Sequence, residues 1–175
     1  MKNYLGLLAL LLVVACNNTE QQSAESKDSL TVATVKATSV DFKDKKLQPI
    51  YAAYLALKDA LVAAKVADAQ AAAKTLAVEL KTYTGCENTS IIAGKIETAK
   101  DLVTQRKEFT GLSSDLVALF KHAALSSGAI FVQHCPMANN GEGGDWLASE
   151  KKIQNPYYGD EMMECGAVVE EIKAK

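Results

Sequence analysis

From Leu47 onward, apolar residues recur every three or four positions. Leu47, Ile50, Tyr51, Tyr54, Leu55, Leu61 and Val62 fall on one face of a helix. The pattern breaks at Ala63-Ala64-Lys65 and resumes in a new phase with Val66, Ala69, Ala73, Leu76, Ala77, Leu80 and Tyr83. Gly85 is placed to close this second helix as its C′ residue. Asn88, Thr89 or Ser90 would cap a third helix carrying Ile92, Ile96 and Ala99. Asp101 reads as the N-cap of a fourth, with Leu102, Phe109, Leu112, Leu116, Leu119 and Phe120 inward. The same residues also allow the third and fourth to run on as one rod. Short connections favour antiparallel neighbours, and alanine-rich faces allow close approach. The expected fold is therefore mainly α, an up-and-down four-helix bundle.

Near residue 128 the period changes. "AIFVQHC" (129–135) is rich in strand-forming residues and reads as extended, and Gly141, Gly143, Gly144, Pro156 and Gly159 then mark turns. "DWLASEKKI" (145–153) is expected to form a short helix. "GAVVEEI" (166–172) is expected to be a closing strand that pairs with residues 129–134. Residues 47–175 thus read as one helical domain ending in a small loop and β cap, from about residue 128 to about residue 172.

The first residues are of a different kind. Residues 1–15 carry one lysine and then an apolar run from Leu5 to Val14, too short to span a bilayer, and read as a signal peptide. The stretch Val13-Val14-Ala15-Cys16 resembles the bacterial lipobox, which implies cleavage before Cys16 and a lipid on its sulfur. An ordinary secretory signal with a chance cysteine is the competing reading. Residues 16–46 are then the lipidated cysteine and a polar tether, rich in Ser, Thr, Gln and Asn. The expected location is the cell envelope, outside the cytoplasm and held to the membrane through the lipid. A net charge of −2 offers nothing to nucleic acid.

Chemistry concentrates in the cap. Of four cysteines, Cys16 is committed to lipid, and Cys86, Cys135 and Cys165 remain. Outside the cytoplasm thiols oxidise, which makes one pair plus one spare the simplest arithmetic, with Cys86 as the spare. "QHCPMANN" brings His134, Cys135 and Met137 together, and "GDEMMECG" adds Met162, Met163 and Cys165. Thiolate and thioether are soft ligands that select Cu(I) over Mg²⁺ or Ca²⁺. Cys135 with Met137, and Met162 with Cys165, each place their sulfurs on one side of a short segment. His134 is a further candidate ligand, although in a strand it points away from Cys135. The same residues equally support a Cys135–Cys165 disulfide with the methionines as packing. A Cys–His enzyme is the weakest reading, because neighbouring side chains on a strand diverge. No phosphate loop, HExxH or EF-hand motif is present.

"FVQHCPMA", "DWLAS" and "KIQNPYYGDEMMECGAVVEE" together resemble the signature of a bacterial domain of unknown function. That domain is common in Bacteroidetes-type bacteria. It occurs as free lipoproteins and attached to periplasmic adaptor subunits of RND heavy-metal efflux systems. "DLVTQRKEFTGLSSDLVAL" is similar to its Arg-x-x-Phe-x-x-Leu-Ser helix. The likeness runs from about residue 48 to 172 and falls on Cys135, Pro136, Met137, Trp146, Leu147, Asn155, Pro156, Tyr157, Gly159, Met162, Cys165 and Gly166. It favours the metal reading, a copper-binding metallochaperone or an accessory of metal efflux, over a structural or interaction module stapled by a permanent Cys135–Cys165 disulfide; with no catalytic motif in the chain, no catalysis is expected. Met163 departs from the usual aliphatic residue and reads as packing. Cys86 matches nothing in the pattern.

Overall fold

The computed structural model describes residues 39–174. The expected signal peptide, the Cys16 lipidation site and most of the tether lie outside these residues. The last part of the expected tether, residues 39–46, belongs to the folded body. Asp41–Phe42 is a short strand, β1, and Phe42 is fully buried against Tyr51 and Phe120.

Four substantial helices follow: α1 Leu47–Val62, α2 Val66–Lys81, α3 Glu87–Thr98 and α4 Leu102–Lys121, each packed on the next. The break between α1 and α2 has neither glycine nor proline, because Ala64 itself adopts a left-handed conformation, φ 54°. The Lys65 N–H then donates to Ala60 O and the Ala64 N–H to Leu61 O, a Schellman closure with alanine in the glycine position. Gly85 does not close α2, which ends at Lys81. It turns the chain into α3 instead. That helix starts at Glu87, ahead of the expected caps, and those hydroxyls serve neighbouring helices. Ser90 donates to Ala77 O on α2 and Thr89 to Asp115 on α4. Asp101 caps α4 as expected, accepting from the Thr104 N–H at 2.8 Å, so α3 and α4 are separate helices.

Beyond α4 the chain forms β2 Leu125–Ser127, which pairs with β1, and then a second sheet. Its strands are β3 Ala129–Cys135, β4 Gly144–Ala148 and β5 Ala167–Lys173, antiparallel in the order β4-β3-β5. The expected pairing of 166–172 with 129–134 is present as β5 on β3. The expected helix in "DWLASEKKI" is not: Gly144–Ala148 is a strand, registered Gln133↔Trp146 and Val132↔Leu147. Trp146 and Leu147 are both fully buried although they face opposite sides of the sheet. With both faces covered there is no polar alternation to mark a strand.

One face of this sheet packs on the helices. Tyr54 of α1 accepts a hydrogen bond from the Leu147 N–H at 3.0 Å and shares another with Ser113 of α4 at 2.6 Å. Its ring stacks on Phe109. The connection from β4 to β5 covers the opposite face. There Gln133 donates to Glu150 O and Lys152 O, and Tyr157 packs edge-on against Trp146.

Candidate functional site

Strand β3 ends at Cys135, whose side chain is fully buried on the face it shares with Gln133 and Trp146. Cys165 comes from the other end of the cap, just before β5, and is only half-buried. The two Sγ atoms lie 2.8 Å apart. The structure thus brings together the two cysteines singled out from sequence. Cys86 is buried among the helices and takes no part.

The turn holding Cys165 is built by the Asn-Pro-Tyr-Tyr-Gly segment. Asn155 is fully buried and donates from Nδ2 to the Cys165 carbonyl at 2.9 Å. Its Oδ1 accepts from the Tyr157 N–H, its own N–H donates to Met163 O, and its carbonyl accepts from the Gly159 N–H. Pro156 O accepts from Arg106 Nε, and the same guanidinium donates to Leu61 O at the end of α1. Arg106, Phe109 and Ser113, three of the four helix residues that carried the resemblance, are therefore clamps between α1, α4 and the cap. Gly166 is required by close approach: at φ 147° a Cβ there would lie 2.9 Å from both His134 O and the Trp146 ring.

The other sulfur residues divide. Met137 is 54 % exposed, beside the exposed Pro136, and its carbonyl accepts from Tyr158 Oη at 2.6 Å. Met162 is half-buried, in a turn whose carbonyl accepts the Cys165 N–H. His134 is turned away from the sulfurs. Its Nδ1 lies 2.7 Å from Asp145 Oδ1, the residue opposite it on β4. That pairing leaves His134 outside the candidate ligand set. Trp146 is part of the core. Its Nε1 and the Oε1 of its cross-strand neighbour Gln133 are buried without a hydrogen-bond partner among the described residues.

Electrostatics of the pair follow from its asymmetry. The hydrogen bond with Cys135, then burial, then a charge on Cys135 push the Cys165 thiol above the ordinary range, while a hydrogen bond from the Met137 backbone opposes them. Burial, ahead of every other cause, also raises the Tyr54 and Tyr157 hydroxyls, so both stay protonated as they bridge the cap to the helices.

Among the described residues, no group of three or more His, Cys, Asp and Glu side chains is placed to hold a metal ion. The pair itself offers two sulfur donors, which fit a soft cation and no hard one.

Residues 50–128 match the family model described as protein of unknown function, DUF3347. The match covers the helices and stops before β3, so the residues around the cysteine pair lie beyond it. Neither the curated proteins nor the solved structures contain a match to the chain.

Proposed function

We propose that this chain is an extracytoplasmic lipoprotein whose four helices, as an up-and-down bundle, carry a cap that binds a soft metal ion, Cu(I), as cargo. In this reading Cys135 and Cys165 are the thiolate donors, Met137 and Met162 supply thioethers, and Cys16 carries the lipid. The protein is then a metallochaperone or an accessory of an RND-type efflux complex, and no catalysis is assigned to it. The observation that carries the reading is the meeting of the buried Cys135 with the half-buried Cys165, next to a segment where Met137 is open to solvent. Two sulfurs bound to one ion at about 2.3 Å each stand farther apart than the 2.8 Å seen here, so the Cys165 turn would open to accept it.

Anaerobic titration of the reduced protein with Cu(I), against a chelating competitor, tests this. Binding is expected at one ion per chain, and the double variant Cys135→Ser with Met162→Leu should lose it. Affinity unchanged in that variant overturns the reading.

The 2.8 Å separation also favours a second reading, in which the pair is a permanent disulfide stapling a glycine-rich cap. Counting thiols on protein purified without reductant separates the two. A cap that never exposes the Cys135 and Cys165 thiols, even in mild reductant, supports the staple.

A further inference from the structure

The two sulfurs differ in what can reach them. Cys135 is closed off by the sheet on one side and by the turn at 153–166 on the other, and is fully buried. Cys165 sits in a turn outside the strands and keeps part of its surface open, next to the Met137 backbone. An external sulfur can therefore approach one member of the pair only. We propose that the pair exchanges with low-molecular-weight thiols and disulfides, with Cys165 as the sulfur attacked or attacking and Cys135 as the resolving thiol.

In the oxidising direction, the Cys165 thiolate attacks an external disulfide R–S–S–R, forms Cys165–S–S–R and expels one RS⁻. The Cys135 thiol, within contact distance, then gives up its proton and attacks Cys165 Sγ. The Cys135–Cys165 bond forms and the second RS⁻ leaves. One disulfide is consumed, two thiols are released, and the pair is oxidised by two electrons. In reverse, an external thiolate attacks Cys165 Sγ and Cys135 is the leaving group. Nothing in this chemistry needs a metal, so it stands or falls apart from the proposed function.

The test uses the reduced full chain in detergent, free of metal, with oxidised glutathione as the probe and peptide mass mapping as the readout. Wild type should form the Cys135–Cys165 bond. Cys135→Ser should accumulate a glutathione adduct on Cys165, while Cys165→Ser should leave Cys135 at least about tenfold slower to react. Pulse alkylation of wild type guards against a misfolded variant, and Cys165 should label about tenfold ahead of Cys135. Equal labelling of the two cysteines, an adduct on Cys135 at the rate seen for Cys165, or no bond in wild type overturns the proposal.

Discussion

Asn155 makes four hydrogen bonds, all within the turn that carries Cys165. Replacing it with alanine leaves the Cys165 carbonyl and the Tyr157 N–H without partners in a closed site, at a cost of about 1–3 kcal/mol for each. Asn155→Ala should therefore lower the denaturation midpoint and, in the folded protein, slow closure of the Cys135–Cys165 bond, read as bond formation per unit time by mass mapping. Closure at the wild-type rate would show that the turn holds Cys165 without its asparagine. The importance of this residue was visible in the sequence only as part of a motif. Its contact with Cys165 spans ten residues, and nothing local announces which backbone group the amide will take. His134 is the opposite case: strand alternation alone placed it away from Cys135, although its partner Asp145 depends on a register the sequence did not specify.

At the scale of elements, α1, the start of α2 and the Asp101 cap of α4 follow from periodicity and capping chemistry, which act within a few residues. The failures share a cause in tertiary context. Gly85 turns the chain into α3 instead of closing α2, and β4 is apolar on both faces because helices cover one side and a loop the other. What fixes β4 on the helices is Tyr54, whose hydroxyl accepts from the Leu147 N–H. Tyr54→Phe keeps the ring stacked on Phe109 and leaves that N–H and Ser113 without their partner. Unfolding in urea should show a loss of about 1–3 kcal/mol, with far-ultraviolet helix signal intact before the transition. A variant as stable as wild type would place the attachment of the sheet elsewhere.

The molecule as a whole joins a helical body to a small sheet through protonated tyrosines. Tyr157 donates to Asp145 O while its ring lies edge-on to Phe109 and Trp146, and Tyr54 bridges α1, α4 and β4. Burial raises both hydroxyls above their unfolded value of about 10. A raised folded-state pKa contributes stability that is complete below the unfolded value and is lost as pH climbs past it. The urea midpoint should thus hold near pH 9 and fall above about pH 10. Tyr157→Phe should flatten that fall relative to wild type. An equal slope in the two proteins would mean that Tyr157 does not carry the dependence.

Trp146 is the chain's one tryptophan. It is sealed from solvent, with its ring tip beside Gly166, the residue that follows Cys165. A change in the bonding of Cys165 must pass along a single peptide unit to reach the indole. The protein therefore carries a built-in optical reporter beside the sulfur pair: oxidation of the pair is expected to shift the intensity or colour of its ultraviolet emission, and an emission spectrum identical in the two states would show that the indole does not sense it.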